Sequence, residues 1–259
     1  MDDVILFNLE NGIATITLNR PTKFNSVTRN LALAFQKLLD RCAKEEDIKV
    51  VVITGKGRAF CAGQDLGEIV DPHGPDISKI IQEHFNPIVR RIRNLEKPVI
   101  AAVNGVAAGA GANLAIACDV VIAAKSASFL QAFSAINLIP DSGGTYTLPR
   151  LVGWQKASAL MMLGDKISAT EAERIGMIYK VVPNEVFQSS VAIIAQKLKE
   201  LPALGLSLTK KALNASFTNN FEDQLEIEDQ LQTIAGHTDD YHEAVQAFIE
   251  KRKPVFKGT

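Results

Sequence analysis

Three short stretches carry groups that could do chemistry. In "NLIPDSGG", residues 137–144, one carboxylate, Asp141, stands between a proline and a glycine pair. Asp141 can act as an acid–base group, or it can accept from the free N–H groups of the helix that "SGG" opens. The eight residues do not decide between these roles. In "GKGRAFCAGQDL", residues 55–66, three glycines leave backbone N–H groups uncovered directly after an apolar run. A loop at the C-terminal end of a parallel strand is where such sheets usually bind ligands. In "NGVAAGAGANLAIACD", residues 104–119, small side chains occupy the first turn of a helix. The first N–H groups of a helix have no internal acceptor and could hold an oxygen that gains negative charge. The same small residues also suit tight packing of a helix on a strand.

Competing chemistry is sparse. The loop at 55–66 lacks the Gly-Lys-Ser/Thr of a phosphate-binding loop and the GxGxxG of a dinucleotide site. Ser142 has no GxSxG elbow, which argues against a serine hydrolase. His73, His84, His237 and His242 do not have metal-ligand spacing, and "HTDDYH" reads as a solvated helix start. Cys42, Cys61 and Cys118 are too scattered for a disulfide framework or a CxxC metal site. The 259 residues carry a net charge of −1, which speaks against a nucleic-acid surface. The longest apolar stretch, around Val99–Ala112, is broken by Asn104 and glycines, so no membrane span is expected. Residues 1–18 lack the pattern of a secretion signal, and a reducing cytoplasm is the expected compartment.

The elements that would position these groups can be read from hydrophobic periodicity. "VILFNLE" and "IATITLN" read as strands joined by Asn11-Gly12, a type I′ hairpin signal. Leu31, Phe35, Leu38, Leu39 and Cys42 mark one face of a helix over residues 28–44. "IKVVVITG" and "KPVIAAVNG" read as strands buried on both faces, with a helix over 78–95 between them. A short helix in "AGANLAIACD" and a strand "VVIAA" follow. This alternation predicts parallel βαβ units with right-handed crossovers. Beyond Leu151 helical periodicity dominates, with one short strand at "IYKVV". The expected division is a core over residues 1–200 and a helical region over 201–259, after Leu201-Pro202.

In their order, "FCAGQDL", "NGVAAGAGANLAIACD" and "LIPDSGGTYTLPRLVG" closely resemble the crotonase (enoyl-CoA hydratase/isomerase) superfamily. The resemblance runs from "ATITLNRPTKFNSV" to "AFIEKRKPVF". It implies an α/β fold, with a ββα spiral core and a C-terminal helical trimerisation region. It also implies an acyl-CoA thioester substrate and a homotrimer or hexamer. No nucleic acid, membrane, metal or cofactor is implied beyond the CoA of the substrate. Carried over residue by residue, the oxyanion-hole donors fall on the N–H groups of Gln64 and Ala110. Lys23, Phe24, Ala62, Asp65, Leu66, Gly109 and Phe133 fall on positions that line the substrate. Phe248 and Lys251 match positions that reach CoA from the last helix.

The catalytic positions depart from the hydratases of the family, which carry two glutamates where this chain has Asn113 and Phe133. Asp141 falls on a third position, used as a catalytic aspartate by some isomerases and by 4-chlorobenzoyl-CoA dehalogenases. The segment around it is most similar to the branch that isomerises ring-1,2-epoxyphenylacetyl-CoA in phenylacetate degradation. The expectation is therefore an isomerase of CoA thioesters with Asp141 as single base. A hydratase using Glu68 or Asp65, a dehalogenase with a histidine base such as His73 or His84, and a non-catalytic CoA-binding or RNA-associated member are the alternatives. The acyl pocket is expected from residues 68–95, with turn chemistry at "DPHGPD".

Overall fold

In the computed structural model, which describes residues 4–72 and 74–258, Asn11 and Gly12 both take positive φ, 50° and 76°. They close the expected two-residue hairpin between β1 (Ile5–Glu10) and β2 (Ile13–Leu18), with Glu10 opposite Ile13. The sheet continues through β3 (Val50–Gly55), and a second, smaller sheet begins at β4 (Ala59–Cys61). The pattern then repeats: β5 (Val99–Val103) with β6 (Val106–Ala108), and β7 (Val120–Ala124) with β8 (Ser128–Leu130). Each pair gives one strand to each sheet. Adding β9 (Ile167–Ser168) and β10 (Lys180–Val182), the sheets run β1-β2-β3-β5-β7-β10 and β4-β6-β8-β9.

Helices follow the paired strands, which makes a ββα spiral. They are α1 (Arg29–Lys44), α2 (Leu66–Val70), α3 (Ile77–Lys79), α4 (Asn86–Asn94) and α5 (Ala110–Ile116). Then come α6 (Gly144–Val152), α7 (Trp154–Leu163), α8 (Ala169–Arg174) and α9 (Phe187–Lys199). The chain ends in α10 (Ala203–Ala215), α11 (Phe221–Gly236) and α12 (Asp239–Glu250). The helix expected over 78–95 is interrupted: Ile80–Phe85 forms a π-helical turn between α3 and α4.

Period-two alternation divides the core. In β5, Val99, Ala101 and Val103 face the core that holds α1, α4 and α5, while Ile100 and Ala102 face α9. Val51 and Ile53 of β3 join the first side, and Val50 and Val52 the second. Both faces being covered explains the continuous apolar runs in the sequence. Cys42, Cys61 and Cys118 are free and buried, and burial raises all three thiols, Cys61 to about 12. Among the described residues no helix is long and apolar enough to cross a membrane, and no acidic, His or Cys cluster could hold a metal.

Candidate active site

The small sheet brings the sequence motifs together. β4, β6 and β8 run parallel, in that order. Their C-terminal ends lead into Ala62–Asp65, Gly109–Ala110 and Gln131–Phe133 respectively. Three segments that lie far apart in sequence thus emerge side by side, at the end of a parallel sheet where ligands bind.

Pairing with residues 24–27 fixes the first segment. Ala62 N–H donates to Phe24 O (3.0 Å), Val27 N–H to Gly63 O (2.7 Å) and Asp65 N–H to Val27 O (2.9 Å). This alternation turns the Gln64 N–H away from Val27. Gly63 takes φ +84°, and a Cβ built on it would lie 3.3 Å from the Ala110 nitrogen. The two backbones therefore touch. Ala110 opens α5, so its N–H lacks an intrahelical acceptor. Among the described residues neither the Gln64 nor the Ala110 N–H meets an acceptor. Two neighbouring free donors can hold one oxygen. The tight-packing reading of the small residues also holds, at Gly111, where a Cβ would lie 2.2 Å from Cys61 O.

Asp141 does not cap its helix with its side chain. The N-cap of α6 is Gly143, with no side-chain cap bond. Ser142 (φ 53°) and Gly143 (φ 74°) are both left-handed. The Asp141 carbonyl accepts the Gly144 N–H (2.8 Å) and the Asn113 Nδ2–H (2.9 Å). Its carboxyl accepts from the Ser142 hydroxyl, which donates to Oδ1 at 2.9 Å, and also meets its own backbone N–H. No other residue is hydrogen-bonded to Oδ2 among the described residues. Burial raises the carboxyl pKa above its ordinary value, against the lowering effects of the Ser142 bond and of the residue's own N–H. A half-buried carboxyl with one oxygen held by no other described residue and a raised pKa can take and return a proton.

Asn113 stands on α5 one turn after Ala110, so the donor pair and the aspartate loop share a mount. Phe133 is buried and lies over the start of the same helix; a Cβ on Gly109 (φ 53°) would be 3.7 Å from its ring.

The other expected residues divide into two groups. Phe24 is left-handed (φ 50°) at the end of the turn that carries exposed Lys23, and the Arg58 guanidinium lies 4.2 Å from its ring centroid. Leu66 is exposed beside Asp65. These residues border the first loop. By contrast, no contact among the described residues joins Phe248 or Lys251 to Gln64, Ala110 or Asp141; both are exposed on and just after α12. Asp65 is engaged: it pairs with Arg20 (2.7 Å), accepts from Ser26 and caps α2 through the Gly67 N–H. Burial raises its pKa, but these bonds outweigh that and hold it below the usual range. Glu68 accepts from the Arg29 N–H (2.8 Å) and from Gln64 Nε2 (2.9 Å).

Of three further side chains in the site region, Gln131 escaped the sequence reading, and Ser142 and His84 were named there only in other roles. Ser142 was weighed as a nucleophile and not as the aspartate's partner. Gln131, in "SFLQAF", donates to Asn113 Oδ1 (2.8 Å) and carries no sequence signal. His84 sits in the π-helical turn, fully buried, with Nδ1 3.3 Å from Gln64 Oε1. Burial lowers its pKa, against the raising effect of Glu68 and Glu83, which favours the neutral ring. His73 lies outside the described residues.

Residues 8–259 match the enoyl-CoA hydratase/isomerase family. The chain is 45% identical over its full length to the full-length 1,2-epoxyphenylacetyl-CoA isomerase of Escherichia coli K12. It is 42% identical to a probable enoyl-CoA hydratase of Rhodobacter capsulatus, covering 98% of each chain. The crystal structure of an enoyl-CoA hydratase from Bacillus anthracis superposes with a TM-score of 0.93, at 34% identity, over 99% of this chain and 100% of that one. With its spiral of paired strands and its converging loops, the chain belongs to the enoyl-CoA hydratase/isomerase (crotonase) family.

Proposed function

We propose that this family member is a CoA-thioester isomerase that uses Asp141 as its single acid–base group. The observation that carries the reading is the Asp141 carboxyl: raised by burial, not spent on capping, and with Oδ2 held by no other described residue. The Gln64 and Ala110 N–H groups would hold the thioester oxygen as it gains charge, each worth about 3–4 kcal/mol of barrier. Asp141 would remove a proton from the carbon between the thioester carbonyl and the double bond, the C–H electron pair forming a dienolate whose oxygen the two N–H groups hold. Returning the proton at the far carbon restores the carbonyl and shifts the double bond. On a ring-epoxide substrate the same groups would assist rearrangement of the ring, the activity named for the Escherichia coli relative. Moving a proton needs no activated water, and no metal or redox cofactor is required. Phe133, over the start of α5, suits a site that excludes water.

A hydratase is the second reading, favoured by the name of the Rhodobacter relative. It needs a base for water. Asn113 and Phe133 cannot serve, and Asp65 and Glu68 are already held by Arg20, Ser26, the Arg29 N–H and Gln64. We further propose a homotrimeric or hexameric assembly. Phe248, 85% exposed, and Lys251 would then meet the CoA of another copy, and Lys251 would face a phosphate. The test is an assay of the purified protein on 3-enoyl-CoA, 2-enoyl-CoA and ring-1,2-epoxyphenylacetyl-CoA. Isomerisation, with negligible hydration, is expected. Asp141→Asn should lower it by roughly a hundredfold to ten-thousandfold. Full isomerase activity in Asp141→Asn would end the mechanism, and fast hydration by the unaltered protein would return the assignment to hydratase.

A further inference from the structure

The Asp141 loop is held from behind by a pair of buried amides. Asn113 is 1% exposed and Gln131 3%. Gln131 Nε2 donates to Asn113 Oδ1 at 2.8 Å, and Asn113 Nδ2 donates to the Asp141 carbonyl at 2.9 Å. The direction of this chain is forced from one end. The Asp141 carbonyl can only accept, so Asn113 must present its NH2 there and its oxygen to Gln131. Gln131 must then turn its own NH2 toward Asn113.

The arrangement leaves Gln131 Oε1 buried without a partner among the described residues. An unpaired buried amide oxygen is unfavourable, and an apolar side chain of similar size would avoid it. What Gln131 contributes is therefore its donor, and that donor goes to Asn113. Gly144 completes the fit. A Cβ there would lie 2.3 Å from Asn113 Nδ2, 2.5 Å from Cγ and 2.6 Å from Oδ1. The bare backbone of Gly144 is what lets the amide reach the loop.

We propose that Asn113 is a positioning residue, oriented by Gln131, whose grip on the Asp141 carbonyl sets where the Asp141 carboxyl stands relative to the Gln64 and Ala110 N–H groups. The proposal rests on the reading of Asp141 as the base. Asn113 is suited to the task because α5 carries it one turn from Ala110. A shift of the loop against α5 changes the distance between the base and the bound oxygen, and it leaves the CoA end of the substrate alone. The consequence is a loss in kcat with little change in KM. An aspartate at 113 has the right length but no donor, and it would set an oxygen against the Asp141 carbonyl. A methionine at 131 keeps the volume, removes the donor and leaves Asn113 free to turn.

The test is steady-state kinetics on the isomerase substrate for Asn113→Asp, Asn113→Ala, Gln131→Met and the double variant Asn113→Ala/Gln131→Met. Thermal melts show which variants are folded. The expected result is kcat down tenfold or more for each single variant, with KM within about twofold. The double variant should be no slower than Asn113→Ala alone, because Gln131 acts through Asn113. A folded Gln131→Met with wild-type kcat would overturn the proposal, as would losses carried by KM or losses that multiply in the double variant. Gln131→Met decides the matter if the Asn113 variants do not fold. Asp141→Asn, run alongside, separates the two claims. If it is inactive while the Asn113 and Gln131 variants are normal, the base stands and the positioning pair falls; if it is fully active, the base itself falls.

Discussion

Asp141 holds its place at a cost, and the cost has a measurable sign. Burial raises its carboxyl pKa, and the Ser142 hydroxyl offsets only part of that rise. A carboxyl whose pKa is raised on folding binds its proton more tightly in the native state than in the unfolded chain. Stability is therefore lost as pH rises through the window between the ordinary aspartate value, about 3.9, and the raised folded one. Below that window both states are protonated and the cost vanishes. Asp141→Asn removes the ionisation while keeping the shape. The variant should melt a few degrees above the parent at pH 7, since about 1 kcal/mol moves Tm by roughly 2–4 °C in a chain of this size. The gap should close as pH is lowered toward 3. Melting curves of both proteins across that range are the measurement, and a variant that melts lower at pH 7 would contradict the buried-charge account. The left-handed Ser142 belongs to the same economy, because a non-glycine residue in that region costs about 1–2 kcal/mol and here it aims the hydroxyl at the carboxyl.

At the scale of elements, the large sheet was legible and the small one was not. β3, β5 and β7 advertise themselves as continuous apolar runs because both faces are covered. The hairpin was legible because Asn11-Gly12 is the dipeptide its turn needs. β4, β6 and β8 have three residues each, too few to show alternation; β4 and β6 also lie inside the glycine-rich stretches that read as a loop and a helix start. That is why the motifs were visible but their mount was not. The cap signature at Asp141 misled for a related reason: two consecutive left-handed residues move the N-cap to Gly143, and nothing in "DSGG" announces them. The π-helical turn was equally silent, since Ile80, His84, Phe85 and Ile88 still satisfy a helical apolar face. The junction of α5 with α6 offers its own prediction. Gly144→Ala forces a methyl into the Asn113 amide, which is buried and cannot swing clear. The expected outcome is about 1–3 kcal/mol of lost stability together with reduced kcat. Chemical denaturation and kinetics measure the two effects, and an alanine variant equal to the parent in both would show that the amide can yield.

For the molecule as a whole, one buried cation links the core to the C-terminal helices, beside the Arg93–Asn214 hydrogen bonds and the packing of Phe217 on Tyr146. Lys210 of α10 reaches across to the core, where its ammonium donates to Asp119 Oδ2 (2.8 Å), Ile92 O (2.8 Å) and Lys97 O (3.3 Å). Asp119 in turn accepts the Val99 N–H at 2.8 Å, at the head of β5. One side chain thus ties α10 to the end of α4 and to the starts of β5 and β7. Burial lowers the lysine pKa, with Asp119 opposing. All three ammonium donors are satisfied, so the desolvated charge is compensated. Removing one partner of such a pair leaves the other charge buried and typically costs about 3–5 kcal/mol. Lys210→Met should therefore lower stability by about that much, and Asp119→Asn/Lys210→Met should recover part of it, because the orphaned carboxylate is gone. None of Lys210's partners belongs to the site around Gln64, Ala110 and Asp141, so kcat measured well below the melting transition should stay within about twofold. Denaturant titrations of the two variants, read beside their kinetics, test this division. A single variant as stable as the parent would mean the ion pair is dispensable, and a collapse of kcat in folded protein would mean that the C-terminal helices act on the site itself.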